Sequence, residues 1–249
     1  MEQGLRSVGK REIRPDAAPK VTGATEFTAD MQMPGMLEGR ILMSIHPHAK
    51  IKKIDTIKAK QLPGVAAVIT YDDVPKRLFT RSAMAEALPS FVFEGEVLDQ
   101  YIISEKARYL GDWIAAVAAQ DIYTAEKALA LIEVEYEVLP AVFDPFEAMK
   151  PDAPLIHEGK ENNIASEMDH AFNCGDVEKA FEESDVVVVF SGKNSRQKHC
   201  HLELDAAIAS WDTKDRLTMI SPTQGPHLAR KAFARRIFGI PDGDIRWIS

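Results

Sequence analysis

Four polar side chains fall at alternate positions in the stretch Gln197-Lys198-His199-Cys200-His201-Leu202-Glu203. If this stretch is extended, Gln197, His199, His201 and Glu203 share one face, because successive side chains of a strand point to opposite sides. Such a face is costly to bury unless its surroundings satisfy it. Solvent along a sheet edge would do so. So would a metal held through imidazole and carboxylate, or a cofactor around which these groups donate and accept. The pattern alone leaves all three open.

Gln224 is the second candidate. It follows Ser221-Pro222-Thr223 and stands just before Pro226, a residue suited to the first turn of a helix. Free N–H groups and the dipole at a helix start favour an anion or an oxo group. A neutral amide can donate there without adding charge, although a plain turn residue fits the same position. His227, one residue into that helix, reads as structural.

The elements that must position these groups follow from periodicity. Leu228, Ala229, Ala232, Phe233, Ile237 and Phe238 form the apolar side of the helix after Gln224, and Gly239 suits its C-terminal cap. Asp205 to Trp211 and Leu217 to Ser221 predict a hairpin, and a strand begins again before Ser249. Val186 to Phe190 reads as a buried strand and Asp176 to Glu183 as a short helix.

Further upstream, Trp113 to Ala119 is a run of small apolar residues expected to be buried on both faces. Asp121 is a suitable N-cap for a helix carrying Ala125, Ala128 and Leu129. Ile132, Val134 and Tyr136 alternate with glutamates in a half-exposed strand. Short β-like runs occupy Met36 to Ile45, Ile51 to Asp55 and Val65 to Thr70, with a helix near Thr56 to Gln61 before the Pro63-Gly64 turn. Phe79 to Leu98 follows neither period and reads as a loop with a brief helix. Pro15 and Pro19 should break regular structure in the first ~20 residues, leaving an arm.

At 249 residues and 45% hydrophobic, the chain can bury one large core or two modest ones. No apolar run approaches the roughly 18 residues of a membrane span. The start, Met1 to Arg6, lacks the apolar region of a secretory signal. Two cysteines, Cys174 and Cys200, make no disulfide framework, so a reduced, cytoplasmic setting is expected. A net charge of −8 argues against general nucleic-acid binding. Arg230-Lys231 and Arg235-Arg236 read as a solvated helix face.

In order and spacing, these residues resemble the molybdopterin-binding large subunit of the xanthine dehydrogenase and aldehyde oxidase family. Lys20-Val21-Thr22-Gly23-Ala24, Phe27-Thr28-Ala29-Asp30, Pro34-Gly35-Met36-Leu37, Pro47-His48-Ala49-Lys50-Ile51, Leu62-Pro63-Gly64-Val65, Arg108 to Asp112 and Tyr136 to Pro140 resemble its hammerhead domain. Gln197-x-His199-x-x-Leu202-Glu203 and Thr223-Gln224 resemble the start of its molybdenum-binding domain. The implied fold class is α+β, a hammerhead-type α/β domain followed by an incomplete mixed α+β molybdopterin-binding domain. The expected division is an arm at 1–19, the hammerhead-like domain at 20–148, a Pro-bearing linker at 149–172 and the molybdenum-binding start at 173–249.

The resemblance implies hydroxylation of an aldehyde or an N-heterocycle such as a purine, with water as the oxygen source. It assigns Gln224 a contact to the molybdenum oxo group, not direct ligation, and makes Gln197, His199 and Glu203 cofactor surroundings. It implies a molybdenum–molybdopterin cofactor shared with a further segment or a complementary chain, and iron–sulfur and FAD carriers on other subunits. The family's glycine-rich loop, its later arginine and its glutamate base have no counterpart up to Ser249. No catalytic residue is therefore expected in this chain, which reads as a truncated or split subunit, inactive alone. Two other readings stay open: a non-catalytic assembly module on the hammerhead scaffold, and an independent metal site at His199, His201 and Glu203.

Overall fold

The computed structural model describes residues 8–79, 98–164 and 174–249. Its elements are α1 (Ala17–Thr22), β1 (Glu38–Met43), β2 (Ala49–Asp55), α2 (Ile57–Lys60), β3 (Val65–Thr70), β4 (Lys106–Ala107), β5 (Trp113–Ala119), α3 (Ile122–Ala130) and β6 (Glu133–Val138). After these come α4 (Pro145–Ala148), α5 (Val177–Glu182), β7 (Ile208–Trp211), β8 (Leu217–Ile220), α6 (Pro226–Ala232) and β9 (Ile245–Ile248).

The strands form three small sheets, ordered β1-β5-β3, β4-β2-β6 and β7-β8-β9. In the first, the apolar run Trp113–Ala119 is the central strand and pairs antiparallel on both sides. Its small side chains let α3 and α2 approach closely. Ala115, Ala119, Ala125, Ala128 and Ala59 become fully buried in one cluster with Val68 and Val117. The Asp121 carboxylate accepts from the Thr124 N–H at 2.8 Å and so caps α3 as its position predicts. Beyond α3 the chain enters the second sheet, where β6 pairs antiparallel with β2. Antiparallel pairing throughout these two sheets makes the unit α+β.

Motif positions here have structural duties. His48 is buried and its Nδ1 lies 2.6 Å from the Pro140 carbonyl, tying the start of β2 to the chain just after β6. Asp112 is buried and accepts from the backbone N–H groups of Arg108 and Trp113 and from the Ser104 hydroxyl. One carboxylate thus holds the turn that leads into β5.

The third sheet mixes directions, with β7 antiparallel and β9 parallel to β8. Between β8 and β9 runs α6, which continues in π-helical geometry through Phe233–Phe238 and ends at Gly239 with φ +68°. Leu217, Met219, Ala234 and Ile245 form its buried cluster, rimmed by Phe233, Phe238, Ile240 and Trp247.

The structure corrects three expectations. Pro19 does not prevent a helix: it falls in the first turn of α1, where its missing N–H has no intrahelical partner to lose. Val186 to Phe190 is neither a strand nor buried. Backbone groups of a strand need a neighbour, and no described segment pairs with this one. Residues 197–203 are not extended either. Cys200 has φ +50°, which turns the chain and removes the alternation of faces. Of the loop expected at Phe79 to Leu98, residues 80–97 lie outside the described residues. At its rim Phe79 bridges Gln100.

Candidate functional site

Gln224 is positioned by the β8–α6–β9 unit. The Ser221 N–H donates to the Ile248 carbonyl at 3.1 Å, extending the parallel pairing to the end of both strands. One step further, the Thr223 N–H donates to the Ser249 hydroxyl at 3.2 Å, and that hydroxyl donates to the Thr223 carbonyl at 3.0 Å. The Gly225 N–H donates to the Thr223 hydroxyl oxygen at 3.2 Å. These bonds staple the Ser221–Gly225 turn to the end of β9.

Gln224 projects from this held turn and is exposed. Its amide makes no hydrogen bond with another described residue, so both its donor and its acceptor are free. It stands beyond the carboxyl ends of two parallel strands, the edge at which α/β units bind ligands. Ser249 was not a candidate on sequence grounds. The only available signal was a hydroxyl residue placed directly after a strand-like run.

The other three candidates are not gathered around Gln224. Gln197 is exposed and donates from Nε2 to the Ser195 hydroxyl at 2.8 Å. His199 is exposed and Glu203 half-buried. The His201 Nδ1 is hydrogen-bonded to the Glu203 carbonyl, and its Nε2 lies 3.7 Å from Asp205. No hydrogen bond or ion pair joins Gln197, His199 or Glu203 to Gln224 among the described residues.

Nor do any three His, Cys, Asp or Glu side chains stand together as a metal site among the described residues. The independent His199/His201/Glu203 metal reading therefore loses its geometric basis. A neutral, free amide on a fixed turn fits the polar face of an oxo-bearing cofactor, whereas the 197–203 segment fits none in this conformation.

Two cavities accompany these elements. A cleft of about 1170 Å³ runs between the Thr28–Ile41 region with Trp113 on one side and Asp205–Ser210 with Ser221 and Pro222 on the other. Its lining includes Ser221 and Pro222, the residues that precede Thr223 and Gln224 in the chain. The second, about 280 Å³, lies among Val142, Phe143, Ile156, His157 and Lys160. Burial, then the nearby Arg108 charge, holds His157 below the usual imidazole range.

A charged clasp lies beside this smaller cavity. The buried Lys106 ammonium donates to Glu158 at 2.6 Å and to the Ile156 carbonyl at 3.1 Å, and Arg108 reaches Glu158 at 3.1 Å. Partial burial pushes the Glu158 carboxyl up. The Lys106 hydrogen bond, the backbone and Arg108 outweigh this and hold it down at about 2.

Comparisons with known proteins agree with this architecture. Residues 22–140 match the model of the aldehyde oxidase and xanthine dehydrogenase a/b hammerhead domain, and residues 156–249 match that of the molybdopterin cofactor-binding domain. A probable xanthine dehydrogenase subunit of Bacillus subtilis is 39% identical over 95% of this chain and 30% of its own length. The "Nicotinate dehydrogenase large molybdopterin subunit" of Eubacterium barkeri is 31% identical over 100% of this chain and 54% of its own. Among solved structures, quinoline 2-oxidoreductase from Pseudomonas putida 86 superposes with a TM-score of 0.79 at 28% identity, over 96% of this chain and 30% of that one.

Fold and matches together define a portion of a molybdopterin-binding large subunit. The chain belongs to the aldehyde oxidase and xanthine dehydrogenase family. It spans between 30% and 54% of the length of these relatives.

Proposed function

We propose that this chain is the N-terminal part of a molybdenum hydroxylase large subunit, working only with the rest of the molybdopterin-binding region. That remainder is supplied by a further segment or by a complementary chain. The observation that carries the reading is the free Gln224 amide, held on a stapled turn at the carboxyl edge of β8 and β9. When bound, the molybdenum cofactor would supply the redox chemistry for hydroxylating an aldehyde or an N-heterocycle such as a purine, with water as oxygen source.

This chain's own part is to position. Gln224 donates its neutral amide toward the cofactor's oxo face, and Gln197, His199 and Glu203 approach the cofactor once their segment is ordered against the remainder. The general base belongs to that remainder, and iron–sulfur and FAD carriers belong to other subunits. The assembly is cytoplasmic. Among the described residues no helix is long and apolar enough to cross a membrane. The division of labour runs along an arm at 1–19, a hammerhead-like domain at 20–148, a linker at 149–172 and the cofactor-facing part at 173–249.

The test is co-expression of the full chain with the part of the Bacillus subtilis relative beyond the matched 30%. A co-purifying complex with stoichiometric molybdenum by elemental analysis supports the reading. Gln224→Ala should keep the complex while altering molybdenum content or the cofactor's visible absorption. Unchanged metal content and spectrum would remove Gln224 from the site. A complex that forms without molybdenum would favour a non-catalytic assembly module, the reading to which the exposed apolar stretch Val186–Phe190 also lends itself.

A further inference from the structure

Every described residue from 174 through 202 is exposed. Within that run Val186, Val187, Val188, Val189 and Phe190 are between 51% and 92% exposed. Five consecutive β-branched or aromatic residues in water are the reverse of what their chemistry favours. Were they extended, Val186, Val188 and Phe190 would line one face, and Val187 and Val189 the other. Both faces are apolar. A strand of that type is stable only inside a sheet covered on both sides.

We infer that Val186–Phe190 is an interior strand donated to a sheet of the complementary molybdopterin-binding segment. This rests on the functional reading above. The double-sided apolar pattern selects the occupant. Two copies of this chain pairing through the segment would make a two-stranded ribbon with both faces still in water, which has little stability. The segment also lies inside the stretch matching the molybdopterin-binding domain, of which the relatives carry considerably more chain.

Charge sets the orientation of the pairing. Glu182, Glu183 and Asp185 precede the strand, while Lys193, Arg196 and Lys198 follow it. The receiving sheet should therefore offer basic groups at the end nearest Asp185 and acidic groups at the end nearest Lys193. Docking the strand would also draw in the adjoining residues 197–203, and with them Gln197, His199 and Glu203.

Hydrogen–deuterium exchange tests this on the full chain, alone and co-purified with the remaining part of the Bacillus subtilis relative. In the isolated chain the amides of Val186–Phe190 should exchange without protection, and in the complex at least about tenfold more slowly. The double substitution Val187→Asp with Val189→Asp should weaken the complex at least about tenfold while leaving the unfolding midpoint of the isolated chain unchanged. A complex that forms but leaves these amides unprotected overturns the strand and spares the functional reading. Failure to form any complex overturns both. Protection that grows with concentration in the isolated chain assigns the segment to a second copy and overturns the inference.

Discussion

The two regions of this molecule handle their apolar residues in opposite ways. In the first, the alanine-rich strand β5 is packed on both sides, and Ile114, Ala115 and Ala119 are completely buried. In the region from 174 onward, a still more apolar run at Val186–Phe190 lies in water, while the buried apolar residues are Leu217, Met219, Ile220, Ala234, Ile237 and Ile245 of the β8–α6–β9 unit. Composition does not separate them. The difference is whether neighbouring strands are present among the described residues, because a strand's backbone and both its faces must be satisfied together. Among the described residues β5 has a strand on each side, and Val186–Phe190 has none.

Substitutions can break this comparison. The largest effect is expected for Ile114→Ala, which empties a fully buried site in β5 and should cost about 2–5 kcal/mol in urea unfolding. Val188→Ala, an equally apolar deletion in the exposed run, should change the isolated chain by less than about 0.5 kcal/mol. Similar losses at the two sites would show that Val186–Phe190 is packed within this chain after all.

A smaller effect concerns the turn that closes the α6 segment. Gly239 has φ +68°, and a Cβ there would press on the Arg77 guanidinium. Gly239→Ala should therefore destabilise by about 1–2 kcal/mol, read as a shift in the unfolding midpoint. Gly243→Ala is the control, since a Cβ there meets nothing. Equal effects would discount the strain.

The smallest effect concerns the Lys106–Glu158–Arg108 clasp, which attaches the post-hammerhead segment to β4. Glu158→Gln should cost below about 1 kcal/mol, because the carboxylate side chain remains 67% exposed. Its pH dependence sharpens the point. The folded carboxyl titrates at about 2, below its ordinary 4.5, so its contribution is complete above pH 4.5 and disappears as pH falls toward 2. Wild type and Glu158→Gln should therefore differ at pH 6 and converge near pH 2. A gap that persists at the acid end would place the interaction elsewhere.

Local chemistry made much of the first region legible. Asp121 capping α3, the central strand at Trp113–Ala119 and the half-exposed β6 all follow from side-chain period and cap geometry within short windows. The same holds for the hairpin of β7 and β8 and for Gly239 at the end of the π-helical segment. The expected face of Gln197, His199, His201 and Glu203 failed because of the backbone. Alternation defines a face only if the backbone is extended, and Cys200 turns it at φ +50°. The Ser249–Thr223 staple and the Lys106–Glu158 clasp were illegible because each joins residues far apart in the chain.

By itself the sequence determined most secondary-structure elements of both units, the family resemblance and the position of Gln224 at a strand-to-helix turn. Spacing along the chain carries that information. The tertiary structure alone decided that the amide of Gln224 is free, that Ser249 steadies its turn, and that the other candidates stand apart from it. It also decided that Val186–Phe190, apolar enough for a core, has none to enter among the described residues. Burial is a property of neighbours, and neighbours are set by how distant segments meet.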